Sequence, residues 1–345
     1  MKLNSFIMIT ALAVSLMCGT PASAQKKPVE KIEKTEKTEK TEKTKIKVVN
    51  TVEQVESAVA VQPGVVITLC MDSGRISVRG GDRREVRARV AKGTKVDFHR
   101  AVDASPDTPA TRLEVLVSEP AGEDEGEEPQ FGRCSGSADI ELEVPRDATL
   151  FFKSESGEFD IDGVAEAHIE SQNGRVNLRH VTRAVEATTI EGDISLEDSS
   201  GRVRLESFGG GVEAINVSQL AEGDFFKAKS ISNDIVLENI NHSRVEVSTI
   251  SGEVSMRGAL ARAGHYDVRT TSGDITLTMP VDSSFQLTAK VSEAGEIVTD
   301  FPLKYTGGVS STSLLSGGRM VGTYGKGDAT LSLSSFNGTL RLRKQ

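Results

Sequence analysis

Apolar and polar residues alternate along this chain in short runs, and the runs recur around glycine. Taking Gly157, Gly174, Gly192, Gly210, Gly252, Gly273, Gly295 and Gly338 as anchors, with Asn233 as a ninth, successive spacings are 17, 18, 18, 23, 19, 21, 22 and 43 residues. Two and four residues after the anchors stand pairs such as Val176 and Leu178, Ile194 and Leu196, and Ile275 and Leu277; only Thr299, after Ile297, breaks the apolar rule. Seven and five residues before them stand a second set, including Leu150 and Phe152, Val203 and Leu205, and Val245 and Val247. Period-two alternation over so few residues predicts half-buried strands, so each repeat reads as strand, glycine turn, strand and return turn. Around Gly295 the first set slips by one, to Leu287, Ala289 and Val291, which predicts a bulge.

Three residues before each anchor lies a small hydroxyl: Ser154, Ser171, Thr189, Ser207, Ser230, Thr249, Thr270, Ser292 and Ser335. A hydroxyl at a recurring inward corner can bond its own turn or the neighbouring one and keeps the corner narrow. Asn233 fits the anchor role as the non-glycine residue most tolerant of a left-handed backbone. No single repeat can bury its apolar face, whereas stacked repeats share one core between two sheets. The fold predicted is therefore all-β: a single β-solenoid, parallel β-helix-like, of about ten two-stranded rungs of about 20 residues, roughly 50 Å long at ~4.8 Å per rung. Leu69, Gly74, Ile76 and Val78 repeat the pattern less regularly, with Met71 in the hydroxyl position, as a capping rung would require. The 43-residue interval predicts a hidden, degenerate rung.

The ends of the chain read differently. Residues 1–24 have the form of an export signal: Lys2, an apolar stretch from Phe6 to Met17, and Ala22-Ser23-Ala24 before Gln25. Met17 before Cys18 is bulky for a lipid-attachment site. The apolar run is short for a bilayer span, and no longer one follows, so no transmembrane segment is expected in the mature chain. Residues 25–47 form a Lys/Glu/Thr-rich linker; Lys26 to Lys47 holds nine Lys against five Glu and no apolar face, which reads as a solvated stalk. Residues 48–345 then form the solenoid domain, interrupted at 103–137 by an acidic loop insertion around the strand Leu113 to Val117, with Glu123-Asp124-Glu125-Gly126-Glu127-Glu128 at its centre. The protein is expected to be exported, to the periplasm or to the cell surface and beyond.

Charge narrows the partners. The net charge is −9 over 345 residues, and the stalk and signal are basic, so the solenoid domain alone carries −14. Nucleic acid is excluded as an expected partner, because its binding rests on clustered Lys and Arg and on stacking aromatics, which make up 4% here with no Trp.

The turn motifs Thr249-Ile-Ser-Gly-Glu-Val-Ser-Met and Thr270-Thr-Ser-Gly-Asp-Ile-Thr-Leu, with Asp72-Ser-Gly-Arg-Ile-Ser-Val-Arg-Gly and Asp139-Ile-Glu-Leu-Glu-Val-Pro, resemble a bacterial putative-adhesin family of unknown function built from β-strand repeats. The resemblance covers roughly residues 58–345. It implies the solenoid fold and brings no catalytic residues with it.

Candidate chemistry is sparse. Gly132-Arg-Cys-Ser-Gly136 has the spacing of a nucleophile elbow but not its strand-before, helix-after context. Gly322-Thr-Tyr-Gly-Lys-Gly327 lacks the Ser or Thr and the helix of a phosphate loop. His99, His168, His180, His242 and His265 show no metal-ligand spacing. Cys70 and Cys134, the cysteines left after export, suit a disulfide tying the insertion to the first rungs, although strand parity puts Cys70 on an outer face. The position after each anchor holds Asp234, Glu253, Asp274 and Glu296 in succession; stacked one strand spacing apart, such carboxylates would suit a Ca²⁺ ladder, against the plainer reading of solvated turn residues. The expected function is a non-catalytic cell-envelope binding or adhesin-like module for an envelope or host polysaccharide or protein. An envelope structural or sensing protein that binds another protein is the alternative. A polysaccharide-active enzyme is disfavoured by the missing Trp and by the lack of converging carboxylates in the sequence pattern.

Overall fold

In the computed structural model, residues 54–100, 108–118, 134–305 and 318–345 are described. The export signal, the stalk, the acidic stretch 123–128 and the start of the elbow-like motif lie outside them. Among the described residues every regular element is a strand.

The rungs stack as the repeat predicts. Each contributes one strand to a leading sheet, before the anchor, and one to a trailing sheet, after it. Leading strands Glu166–Asn173, Ala184–Glu191, Arg202–Ser207, Phe226–Lys229, Arg244–Ser251 and His265–Ser272 pair in parallel with their sequence neighbours. Trailing strands Val176–Arg179, Ile194–Glu197, Val212–Ser218, Ile235–Asn241, Val254–Arg257 and Ile275–Met279 do the same. The register sets like on like: Val245 lies on Phe226 and Tyr266 on Val245, so the alternating apolar residues form continuous internal columns. The predicted inward pairs are almost all buried, among them Phe152, Leu205, Leu237 and Leu277 at 2% exposure or less. A further internal column, seven residues after the anchor, escapes the two-strand pattern: Val164, Val181, Ser199, Val217 and Ile240 line the return turn and are buried.

Physical contact at the anchors explains the glycines. A Cβ placed on Gly210 would lie 2.0 Å from the carbonyl oxygen of Gly192, and one on Gly273 would lie 2.0 Å from that of Gly252. Neighbouring turns are thus stacked backbone against carbonyl, with no room for a side chain. The hydroxyls lock the same atoms. Ser207 Oγ donates to Gly192 O at 2.9 Å, Ser230 Oγ to Gly210 O at 3.1 Å, Thr249 Oγ1 to Asn233 O at 3.2 Å, and Ser335 Oγ to Gly273 O at 3.2 Å. The N–H groups of Gly210 and Asn233 in turn donate to the hydroxyls of Ser207 and Ser230 in their own turns. Ser207 and Ser230 therefore each join two rungs, whereas the buried Ser171 Oγ donates to Asn173 O of its own turn at 3.2 Å. Thr189 differs, since its buried Oγ1 has no hydrogen-bond partner.

Asn233 is an anchor for another reason than the one expected: it is not among the residues with positive φ. Its side-chain Nδ2 instead donates to Gly209 O on the preceding rung at 2.6 Å. A row of positive-φ residues sits at the other corner, six residues after the anchor: Gly163, His180, Asp198, Asn216, Asn239 and Gly258. Their side chains climb the stack, with Asn216 Nδ2 on Asp198 Oδ1 and Asn239 Nδ2 on Asn216 Oδ1, both at 2.9 Å.

The ends depart from sequence order. The rung of Ala329–Asn337 and Leu340–Lys344 inserts between that of His265–Ser272 and Ile275–Met279 and that of Phe285–Val291 and Ile297–Thr299. The last strands of the sequence are thus inside the stack. Among the described residues the 43-residue interval holds no rung: Gly318–Tyr324 runs antiparallel to Phe285–Val291, and Lys304–Tyr305 pairs with it. Phe285, Phe301 and Tyr324 pack ring on ring at 4.9–5.7 Å and close this end of the core. In the outermost rung Val291 takes the position of Ser335 in the register, so Ser292 is pushed outside and is exposed. The strand itself keeps unbroken register with Ala329–Asn337, and the extra residue falls in the turn between Val291 and Gly295.

The other end is built alike. Gln54–Gly81 supplies a rung that stacks on Thr149–Asp162, with Met71 buried opposite Ser154, but it is not the cap. Ala110–Ser118 and Ile140–Pro145 form a rung outside it, so the strand predicted within the insertion is part of the stack. Lys95–Arg100 and Glu85–Ala91 cover that rung with antiparallel pairings. The outermost rungs at both ends thus come from segments adjacent in sequence to rungs just inside them. Counting along the leading sheet from Ala110–Ser118 to Phe285–Val291 gives eleven parallel strands, one rung more than expected.

Substituting Gly210→Ala is expected to cost about 3 kcal/mol or more, because backbone and not a movable side chain blocks the methyl. Gly81→Ala, whose added methyl would meet nothing nearer than Val144 O at 3.9 Å, should cost under about 1 kcal/mol. Urea midpoints of the two variants measure the difference.

Candidate functional site

The outward side of the leading sheet offers the strongest concentration of recognition chemistry. Strand alternation puts Phe151 and Lys153, His168 and Glu170, Glu186 and Thr188, Arg204 and Glu206, and Lys227 and Lys229 on it, rung after rung. Phe151, 45% exposed, stacks on His168 with ring centroids 4.4 Å apart and planes 7° from parallel. The Arg204 guanidinium lies 6.0 Å over the ring of Phe225. These two aromatic positions stand four strand spacings apart, about 19 Å.

Between them run ion pairs across rungs. Lys153 meets Glu170 at 3.4 Å, His168 approaches Glu186 at 3.4 Å, Arg204 approaches Glu186 at 3.6 Å, and Lys227 meets Glu246 at 3.2 Å. Such solvent-facing pairs stabilise little and can be exchanged for contacts to a charged ligand. Three shallow depressions follow one another here: one over Phe151, His168 and Glu186; one over His168, Arg204 and Phe225; and one over Arg204, Phe225, Lys227 and Arg244. Together they form an elongated, ridged strip, shaped for an extended polymer and too open for a small molecule.

The carboxylates singled out from the sequence fall on the opposite side of the anchor turn. Asp234, Glu253 and Asp274 stand on successive rungs. Glu296 does not follow Asp274, because the rung bearing Thr339 lies between them. Among the described residues no three His, Cys, Asp or Glu side chains are grouped to hold a metal ion. The aspartates have a structural task that the sequence pattern did not disclose. Asp193 Oδ1 accepts the N–H of Gly211 at 2.9 Å, Asp234 Oδ1 that of Glu253 at 2.8 Å, and Asp274 Oδ1 that of Thr339 at 2.7 Å. Each ties its turn to the next. Burial opposes the charge of Asp274, but the Thr339 N–H and the paired Arg341 guanidinium outweigh it and hold its pKa below the usual carboxylate value.

Cys70 and Cys134 are joined, with Cα atoms 4.5 Å apart, which fastens the end of the insertion to the second rung. By the chain-entropy account a cross-link closing 64 residues removes roughly 4 kcal/mol of unfolded-state freedom. The central cysteine of the elbow-like motif is therefore held in a disulfide, and the first three residues of the phosphate-loop lookalike, Gly322 to Tyr324, end the strand Gly318–Tyr324.

His242 is the one fully buried histidine, packed against Phe226 with its Nε2 2.8 Å from Gly201 O and its Nδ1 without a partner. Burial lowers its pKa, against the opposing pull of the Gly201 carbonyl and nearby Asp224. A depressed folded-state pKa means that the neutral ring is favoured in the fold. Its contribution to stability is thus present above the unfolded value of about 6.5 and is lost as pH falls through the folded value. The urea midpoint of the protein should fall more between about pH 7.5 and about pH 5 than that of His242→Gln; equal slopes would contradict this.

With this geometry in place, known proteins can be set beside the chain. Residues 214–343 match the Toastrack DUF4097 family. The Toastrack stretch begins inside the trailing strand Val212–Ser218 and runs through Leu340–Lys344, so it includes the inserted C-terminal rung. No curated protein matches the chain. Solved structures similar to it include a putative cell adhesion protein from Clostridium sporogenes ATCC 15579, at 9% identity over 85% of this chain and 100% of that one, TM-score 0.26. A putative adhesin from Parabacteroides distasonis ATCC 8503 is 9% identical over 84% and 98%, TM-score 0.41. One from Bacteroides fragilis NCTC 9343 is 10% identical over 84% and 97%, TM-score 0.36. Among the described residues no helix is long and apolar enough to cross a membrane.

Proposed function

We propose that the protein is an exported, non-catalytic cell-envelope module that binds an extended polymer, with polysaccharide as the ligand class, along the outer side of its leading sheet. The observation that carries this reading is the exposed Phe151–His168 stack, in line with the Arg204–Phe225 contact on the same strip. Sugar rings pack on aromatic faces, while flanking Lys, Arg and Glu side chains suit hydroxyl and carboxylate groups. The rung spacing of ~4.8 Å is close to the rise of one sugar unit, so a chain lying along the stack would meet the next side chain of the row at each step. The export signal and the Cys70–Cys134 bridge support a location outside the cytoplasm, since disulfides persist in oxidising compartments. The polar groups of the strip are tied in ion pairs and not converged on one reacting atom, which supports binding over chemistry.

The test is a binding screen of the purified protein against envelope and host glycans, with and without Ca²⁺, with polymer chain ends assayed in parallel. Saturable binding without new chain ends is expected, weakened about fivefold to tenfold by Phe151→Ala, the loss of about 1 kcal/mol of stacking. New chain ends would contradict the non-catalytic reading. Binding to no polymer would contradict the ligand class and favour a protein partner.

A further inference from the structure

Two residues before each anchor, at the crest of the turn, the side chain points away from the core. On the outer rungs this position is polar: Glu155, Gln172 and Glu293. In the middle of the stack it becomes Ile190, Phe208, Ile231 and Ile250, all 37–50% exposed, then Thr271 and Phe336, the latter 51% exposed. Backbone bonds hold these crests in line. Gly209 N–H donates to Ile190 O, Ser232 N–H to Phe208 O and Ser251 N–H to Ile231 O, while Ser251, Ser272 and Asn337 pair in register. The result is a straight ridge about 24 Å long, apolar but for Thr271, that no described residue covers. Isolated exposed apolar residues are ordinary, but a contiguous row rimmed by polar ends marks a contact surface.

The charges on the two flanks of the ridge say what covers it. One flank is the position four before the anchor, the other the position one after. Along the ridge these are Thr188 and Asp193, Glu206 and Gly211, Lys229 and Asp234, Ser248 and Glu253, Arg269 and Asp274, and Ser334 and Thr339. No rung carries the same sign on both flanks. Where the first flank is acidic, at Glu206, the second has no side chain at all. Yet within the protein Lys229 pairs with Glu206 and Arg269 with Asp267 on their own sheet, so neither uses the acid across its own turn. A two-fold axis parallel to the stack turns one flank toward the other in a second copy and brings each rung onto its own equivalent. Lys229 then faces the partner's Asp234 on either side of an Ile231 and Ile250 seam, while Asp274 stays paired with Arg341 of its own chain.

We infer that the ridge is the interface of a parallel, in-register homodimer of this chain, apolar at its centre and flanked by ion pairs between copies. The ridge and its flanks cover about 500 Å² per copy, the lower end for a specific interface, so the dimer forms at micromolar concentrations. An antiparallel pairing would set each flank against itself and Ile190 against Phe336, and it loses the charge match. This inference is independent of the ligand strip, which lies on the sheet and not on the crest.

Sedimentation velocity of the full chain from about 1 to about 300 μM should show conversion from monomer to dimer. Ile250→Asp should shift the midpoint upward at least about tenfold with unchanged circular dichroism, because it places carboxylates face to face. In a Cys18→Ser background, Ile231→Cys should oxidise to a covalent dimer with itself. A protein that stays monomeric throughout, or an unchanged midpoint for Ile250→Asp, overturns the interface. Cross-linking between Ile190→Cys and Phe336→Cys chains, without self-linking of Ile231→Cys, overturns the parallel register.

Discussion

Everything in this fold depends on how closely consecutive turns approach at the anchor corner. A carbonyl oxygen of one rung occupies the space where a Cβ of the next would be, about 2 Å from where a methyl would sit at Gly192, Gly210, Gly273 and Gly338. That approach leaves the carbonyl without room for solvent, and at Gly210, Gly273 and Gly338 the Ser or Thr three residues earlier supplies its donor. Glycine and hydroxyl are thus two halves of one contact: the first permits the stacking and the second satisfies what the stacking buries. Because the contact repeats at every rung, it also fixes the register of both sheets. The apolar columns and the outer rows of side chains follow from it.

The same repetition explains why the two surfaces proposed as sites are linear. A solenoid presents any position of its repeat as a row, so recognition is written in columns, one residue type per rung. The row on the leading sheet combines aromatic and ionic groups in a shallow strip. The row at the crest is apolar in the middle and polar at both ends. The row after the anchor, which had pointed to a cation, is occupied by aspartates bonding the next turn. Its acids therefore contribute to the stack itself, and Asp274 is in addition neutralised by Arg341.

How much of this the sequence disclosed depends on whether the determining contact is local. Strand identity, the inward residues and the hydroxyl column are set by alternation within about twenty residues, and all but Ser292 stand where the pattern put them. The order of the outer rungs was not legible, because it is decided by pairings between segments far apart in the chain: Leu331 lies on Tyr266 rather than beyond Leu287. The same insertion separates Glu296 from Asp274. The side-chain ladder of Asp198, Asn216 and Asn239 left a signal that could have been used, since Asn, Asp and Gly six residues after the anchor are the residues that accept a left-handed backbone. Asn233 misled for the converse reason: its residue type suits that backbone, but its side chain serves as a donor to the rung before it.

The central claim is that the C-terminal rung is held inside the stack by the anchor contacts on both of its sides. Native-state hydrogen exchange tests it most directly. The account predicts that Gly338 and Leu340, whose N–H groups bond to Ala294 and Glu296 of the outermost rung, exchange as slowly as Ile275 and Gly273 in the rung beneath. Rapid exchange at Gly338 and Leu340, as in a frayed terminus, with slow exchange retained at Ile275, would contradict it.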